Sequence, residues 1–150
     1  MNIILHCEAQ KLRNGKLNPK NYPYWKDLIE NLKEFNFIQI GVESDTQYVD
    51  DFRKNLEFNE IKKLLIDCKS WIAVDSFFQH LAWEMKKPGI CIFGLSDPLI
   101  FGHKENINIV DRSKLRKNQF STWEEIEYDE TAFEKPFIIA DEFRSLINRL

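Results

Sequence analysis

Glycine is scarce in this chain. Only 5 of its 150 residues are glycine, whereas an average protein contains about 7%. No G-x-G-x-x-G segment and no G-x-x-x-x-G-K-[ST] segment occurs. These loops need their glycines to bring the backbone close to phosphate, so the ordinary dinucleotide-binding loop and the P-loop of ATPases are excluded.

Cysteine and histidine are also few. The three cysteines, Cys7, Cys68 and Cys91, are odd in number and widely spaced. This pattern predicts reduced, buried thiols and neither a disulfide framework nor a zinc site. The three histidines are isolated from one another and from the cysteines in the sequence. We therefore expect no metal site and no bound cofactor.

Long apolar runs and blocks of like charge are both missing. Runs such as Ile90–Phe93 and Phe137–Ala140 are far shorter than the ~20 residues that span a bilayer, so no membrane span is expected. Met1–Glu8 has no basic leader, which predicts a cytoplasmic protein. The 21 basic and 24 acidic residues give a net charge of −3 without a basic block, which argues against nucleic-acid binding.

What the chain does have is the pattern of an α/β domain. Short strand-like runs alternate with longer stretches of helical periodicity, and 43% of the residues are hydrophobic. We predict one Rossmann-like domain whose mostly parallel sheet is flanked by helices. The predicted strands are Ile3–Leu5, Phe37–Gly41, Trp71–Val74 and Ile90–Phe93, with Ile107–Val110 as a short edge strand.

The helices are predicted from caps and apolar spacing. They cover Tyr24–Phe35, a segment after Ser44 or Asp45 that carries Tyr48, Val49, Phe52 and Leu56, a segment capped by Asn59, a segment after Ser76, and Asp141–Leu150. The segments Glu8–Asn21 and Leu95–Glu105 read as loops. Residues 1–111 are expected to form the Rossmann-like domain, and residues 112–150 an extension that packs on it and ends in a helix.

One junction between a strand and a helix has the chemistry of an anion site. The strand that ends at Val74 turns at Asp75 and Ser76 into a helix. The unpaired N–H groups of Ser76, Phe77 and Phe78 then point to one place, where the helix dipole adds positive charge. Lys20 follows the first strand and can reach the same crevice at the carboxyl edge of the sheet.

The segment Asp75-Ser76-Phe77-Phe78-Gln79-His80-Leu81-Ala82, followed by Pro88 to Pro98, closely resembles the signature of the heptosyltransferase family. These glycosyltransferases use ADP-heptose in lipopolysaccharide core synthesis. Their pattern is a strand, D-[ST]-G-x-x-H-L-A, a helix, and then P-x-apolar strand-F-G-x-[ST]-x-P. Lys20-Asn21-Tyr22-Pro23 is similar to the K-x-[WY]-P motif of the family. One departure is Phe77, which stands where the family has glycine.

The resemblance extends over about Met1 to Asp111 and implies the C-terminal, donor-binding half of a two-domain glycosyltransferase. It implies that Lys20 neutralises a diphosphate, that Glu43 or Asp45 holds a ribose, and that His80 and the Ser96-Asp97-Pro98 loop lie beside the donor. The candidate ligand-binding residues are Lys20, Glu43, Asp75, Ser76, Phe77, Phe78, His80, Ser96 and Asp97.

Each candidate also has a purely structural interpretation. Asp75 and Ser76 can act only as a helix cap, His80 can be a core histidine, and Lys20 can be a solvated surface residue. Phe77 and Phe78 can belong to the core or can stack on a base. The Ser96-Asp97-Pro98 loop is, by default, a simple turn.

Three functions stay open at this stage. The chain can bind a nucleotide or nucleotide sugar without turnover. It can instead be a glycosyltransferase whose acceptor site comes from a partner chain or a second copy in a homodimer, or a scaffold for protein contacts that binds no ligand. No catalytic residue is assigned, because in the family the acceptor site and the activating carboxylate belong to the other half.

Overall fold

A computed structural model describes all 150 residues. Six strands form one sheet in the order β3-β2-β1-β4-β5-β6, and every neighbouring pair is parallel. The strands are β1 (Asn2–His6), β2 (Asn36–Gly41), β3 (Phe52–Lys54), β4 (Ser70–Val74), β5 (Ile90–Ile92) and β6 (Ile107–Ile109). The helices are α1 (Trp25–Asn31), α2 (Phe58–Asp67), α3 (Phe77–Glu84), α4 (Pro98–Phe101) and α5 (Pro136–Arg149). The α/β prediction is confirmed.

The strand order is that of the doubly wound Rossmann fold. It reverses between β1 and β4, so a crevice opens beyond the carboxyl ends of these two neighbouring strands. All five residues of β4 are buried, as expected of a central parallel strand with helices on both faces. One face packs around Leu5, Trp25 and Phe143, and the other around Trp71 and Phe78.

The predicted helix after Ser44 or Asp45 is wrong. Its segment holds the short edge strand β3 instead, which pairs with β2 from Gln39 to Gly41. The fully buried Gln39 amide donates to the Thr46 carbonyl and accepts from the Tyr48 N–H. These hydrogen bonds hold the segment in a loop along β2. Although its apolar residues have helical spacing, the segment therefore forms no helix.

Other helices also differ from the prediction, and α1 ends at Asn31 rather than at Phe35. Helix α2 is capped two residues earlier than expected, by a capping box between Glu57 and Glu60, and not by Asn59. The loop after β5 contains α4, because the Asp97 side chain accepts the Leu99 N–H and so caps this helix. Helix α5 begins at Pro136 rather than at Asp141, since proline is favoured in the first turn of a helix.

The C-terminal segment shares the core of the sheet. Ile139 and Phe143 of α5 belong to the same buried cluster as Leu5 of β1. The Tyr128 hydroxyl donates to the Asn21 carbonyl oxygen, 2.6 Å away. Residues 112–150 therefore fix the loop that follows β1.

The cysteines and the helices agree with two further expectations. Cys7, Cys68 and Cys91 are all free and buried. Burial raises the pKa of the Cys7 and Cys91 thiols well above the usual range. None of the helices is both long enough and apolar enough to cross a membrane.

Candidate functional site

A cleft of about 920 Å³ opens at the carboxyl edge of the sheet. It extends from the ends of β1 and β4 to the loops after β2 and β3. Five of the predicted site residues line it, namely Lys20, Asp75, Ser76, Phe77 and His80. The strand ends and the family resemblance together therefore predicted residues that the structure places around one cleft.

The junction of β4 and α3 forms one part of this cleft. Ser76 is the N-cap residue and has an extended backbone, with φ −158° and ψ −175°, but its side chain makes no capping hydrogen bond. The N–H groups of Ser76, Phe77 and Phe78 donate to no acceptor in the chain. The first turn of α3 therefore keeps the three free donors that the sequence predicted, beside the cleft that Ser76 and Phe77 line.

The Ser76 hydroxyl is instead held by a residue that the sequence analysis missed. Ser76 Oγ lies 2.9 Å from Nδ1 of His6, the last residue of β1. The His6 ring stacks on Phe78 and meets the edge of Phe77. Burial lowers the pKa of His6 to about 4, so the imidazole is neutral at neutral pH. His6 could have been found from the sequence, because it is a polar residue at the carboxyl end of a strand that neighbours β4, where ligands bind in this kind of sheet.

Lys20 and Asp75 form an ion pair within the cleft. Lys20 Nζ lies 3.5 Å from Asp75 Oδ2. The Lys20 side chain is one quarter exposed, whereas Asp75 is almost fully buried. The backbone of the lysine is fixed by Asn18, whose side-chain oxygen accepts the Lys20 N–H. Lys20 therefore reaches the crevice, as its position after β1 predicted, and keeps an accessible ammonium group.

The aromatic and histidine candidates separate into buried and accessible groups. Phe78 is fully buried in the core, so it does not line the cleft. Phe77 is 43% exposed and packs edge-to-face against Phe58, which also lines the cleft. His80 Nδ1 lies 2.7 Å from His103 Nε2. Desolvation and then the neighbouring His103 lower the pKa of His80.

Of the two acidic candidates after β2, the structure brings Asp45 to the cleft and leaves Glu43 outside it. Glu43 is exposed and pairs with Lys54 at 3.3 Å. Asp45 lines the cleft and accepts the Val42 N–H. Glu8 lies beside Asp45, and burial raises the pKa of Glu8. This acidic pair was only half foreseen, because nothing in the sequence marked Glu8.

A second cavity of about 220 Å³ adjoins the first. The two share Lys20, Asp75, Phe101 and Trp123. Arg116 also lines the smaller cavity, and its guanidinium lies 3.7 Å from the centre of the Trp123 ring. Both residues come from the segment after residue 111, where the sequence shows no periodicity that could have placed them.

The two candidates in the loop after β5 have different surroundings. Ser96 is buried, and it lines the smaller cavity with a hydroxyl that has no hydrogen-bond partner. Asp97 lines neither cavity. Its carboxylate binds Arg112 at 3.1 and 3.2 Å and caps α4. The hydrogen bonds from Arg112 lower the pKa of Asp97.

A parallel sheet with free helix amides and a lysine at its topological switch point defines a class of α/β proteins whose ligand crevice lies at that edge. Solved structures show the same fold. The chain superimposes with a TM-score of 0.71 and 16% identity on ADP-heptose lipopolysaccharide heptosyltransferase II of E. coli, over 99% of its own residues and 46% of that chain. The iron-containing dodecameric glycosyltransferase TibC of enterotoxigenic E. coli superimposes with a TM-score of 0.64 and 15% identity, over 99% of this chain and 45% of TibC. The E. coli heptosyltransferase WaaC with ADP superimposes with a TM-score of 0.56 and 17% identity, over 71% of this chain and 37% of WaaC.

The family model for glycosyltransferase family 9 (heptosyltransferase) matches residues 51–129. This match covers more than half of the chain, which therefore belongs to that family. The chain spans less than half the length of the structures that it resembles. No curated protein matches it.

Proposed function

We propose that this chain binds a nucleoside diphosphate, free or as part of a nucleotide sugar, in the 920 Å³ cleft. The observation that carries the proposal is the set of three backbone N–H groups at Ser76, Phe77 and Phe78 that have no acceptor in the chain. A phosphate group is the anion that such a helix start accommodates best. Lys20 lines the same cleft and adds a full positive charge.

The diphosphate would take its hydrogen bonds from the start of α3 and its charge pairing from Lys20. A hydrogen bond to a charged group contributes about 1.5–3 kcal/mol, which corresponds to roughly tenfold or more in affinity. Because Lys20 Nζ lies 3.5 Å from Asp75, the free protein keeps the ammonium group paired. The ligand then adds a second anionic partner to the same cation.

The rest of the cleft suits a nucleoside. Phe58 and Phe77 present exposed rings to it, with their centres 5.6 Å apart. Exposed aromatic rings of this kind stack on a planar base. On the β2 side Asp45 offers a carboxylate, the group that holds ribose hydroxyls in related folds. We therefore assign the ribose to Asp45 and not to Glu43, and the base to the surface formed by Phe58 and Phe77.

Calorimetry with AMP, ADP, UDP, an ADP-sugar and pyrophosphate tests this function. We expect ADP to bind at least tenfold more tightly than AMP, because only the diphosphate reaches both α3 and Lys20. Equal affinities for AMP and ADP would remove the diphosphate assignment. No heat with any of these ligands would favour the third function named above, a scaffold for protein contacts.

A second candidate function is glycosyl transfer in which another polypeptide provides the acceptor site. The observation that favours it is that the chain corresponds to 46% of a family member of the same fold. In this case the N–H groups of α3 and Lys20 would stabilise the departing nucleoside diphosphate. Release of ADP from an ADP-sugar only when an acceptor and a second protein chain are present would support it. If the rate of ADP release depends on the square of the protein concentration, the second chain is another copy of this protein.

A further inference from the structure

Gln79 is fully buried beside the candidate site. It lies one helical turn after Asp75, and its side-chain nitrogen donates to Asp75 Oδ1 at 2.8 Å and to the Phe101 carbonyl oxygen at 3.1 Å. Both amide protons are therefore used. The side-chain oxygen Oε1 is buried and has no hydrogen-bond partner.

This arrangement has a cost that an apolar residue would avoid. An unpartnered polar atom in the protein interior destabilises the folded state, because it loses its hydrogen bonds to water and gains none in return. A residue of similar size without polar atoms, such as methionine, would fill the same space without this penalty. Positions where a sequence departs from such a rule are often functional. The contacts of the Gln79 amide indicate which function this position serves.

The amide holds one oxygen of the Asp75 carboxylate, and Lys20 faces the other. Asp75 Oδ1 accepts from Gln79, while Oδ2 lies 3.5 Å from Lys20 Nζ. With Oδ1 fixed, the carboxylate cannot rotate away from the lysine. The second hydrogen bond, to Phe101, ties α3 to the end of α4, and Phe101 lines both cavities.

We propose that Gln79 is a positioning residue: by holding Asp75 Oδ1 it fixes Oδ2, and through Oδ2 it fixes the Lys20 ammonium group that contacts the ligand. This inference rests on the proposed function, because the ligand is the nucleoside diphosphate. It adds a residue that touches no ligand itself and that determines how strongly Lys20 contributes.

The substitution Gln79→Met separates positioning from folding. Methionine removes both hydrogen bonds and also the unpartnered oxygen. We expect thermal stability to fall, because the buried Asp75 Oδ1 and the Phe101 carbonyl lose their donor, and we expect the affinity for ADP to fall threefold to tenfold. A merely structural role would lower thermal stability and leave the affinity for ADP unchanged. Ser70→Ala is the matched control, because it removes a buried hydrogen bond, to the Pro88 carbonyl, at the opposite end of β4. This control should lose stability and keep the affinity for ADP.

The substitution Gln79→Glu adds a pH-dependent readout. Burial and the neighbouring Asp75 carboxylate favour the protonated form of the introduced carboxyl at low pH, and in this form it donates to Asp75, so the affinity relative to wild type should be nearly restored at pH 5. By pH 8 two carboxylates face each other, and the relative affinity should fall at least tenfold, together with stability. The charged or titratable groups around Asp75 are Lys20, Arg116, His80 and Cys91. Their own titration is removed by taking the ratio to wild type at each pH.

The possible results separate the inference from the function on which it rests. A failure of the wild-type protein to bind ADP overturns the proposed function. Wild-type binding with unchanged affinity in Gln79→Met, or a flat pH profile in Gln79→Glu, overturns the role of Gln79 alone. If Gln79→Met does not fold, the profile of Gln79→Glu decides.

Discussion

His6 and Ser76 join the two central strands of the sheet by a hydrogen bond of 2.9 Å between Nδ1 and Oγ. His6 is the last residue of β1, and Ser76 is the N-cap of the helix that follows β4. The bond occupies the side chain that would otherwise cap α3. The amides of the first helical turn are left without an internal acceptor as a result.

The first prediction concerns pH and His6. Because burial lowers the pKa of His6 from 6.5 to about 4, the unfolded chain binds more protons than the folded chain between these values. Stability is therefore complete above pH 6.5 and is lost as the pH falls towards 4, by about 3 kcal/mol over the full range. Urea unfolding of wild type and His6→Gln at pH 4.5, 5.5 and 7.0 measures this effect. If the free energy of unfolding of the two proteins changes with pH in parallel, His6 is not the group that causes the loss of stability.

The second prediction concerns Lys20. Lys20→Ala should weaken ADP binding by tenfold or more, about 1.4 kcal/mol or above, because the diphosphate loses the ammonium group that lines the cleft beside Asp75 and Ser76. Lys16→Ala is the control, since this lysine lies in the same loop but is 60% exposed and pairs with Glu127 instead. Calorimetry should show normal ADP binding for the control. An equal loss in both variants would indicate a general effect of charge.

The third prediction concerns Glu8. The raised pKa of Glu8 means that the folded chain favours the protonated carboxyl. Its contribution to stability is therefore present at low pH and is lost as the pH rises above 4.5, the ordinary pKa of the group. Glu8→Gln keeps an oxygen for the Thr46 N–H, which Glu8 accepts at 2.7 Å, and removes the charge. The variant should melt at a higher temperature than wild type at pH 7.5 and at a similar temperature at pH 4. A lower melting temperature at pH 7.5 would mean that the charge is needed.

The fourth prediction concerns Phe77. Its exposed ring lines the cleft beside Phe58, so Phe77→Ala should remove a stacking contact of about 1–3 kcal/mol. We expect weaker binding of ADP and unchanged binding of pyrophosphate, both measured by calorimetry. Phe120→Ala, which truncates an exposed ring at the smaller cavity, is the control. Tighter binding of both ligands to Phe77→Ala would mean that the ring obstructs the amides.

The strand ends were the most predictable part of this molecule. Buried parallel strands are continuous apolar runs, so β1, β4 and β5 stand out in the sequence, and the polar residues after them mark the crevice. Asp75 and Ser76 were found in this way, whereas Lys20, fourteen residues after the end of β1, was found through the resemblance of Lys20-Asn21-Tyr22-Pro23 to a family motif. The segment over β3 was not, because its apolar residues have helical spacing while the buried Gln39 amide fixes it as a loop.

Other features depend on contacts between distant segments. Trp123 and Arg116 reach the site only because the C-terminal segment returns to the loop after β1, where Tyr128 bonds to Asn21. The choice between Asp45 and Glu43 is made by the fold of their loop, since both lie within three residues of each other. No local pattern contains such information.

The central claim is that the free amides at the start of α3 bind the diphosphate. It is tested most directly by following the backbone ¹H–¹⁵N signals during a titration with ADP and with pyrophosphate. We predict that the amide signals of Ser76, Phe77 and Phe78 move downfield with both ligands and by more than those of the rest of α3. Saturable binding that leaves these three signals in place would contradict the account.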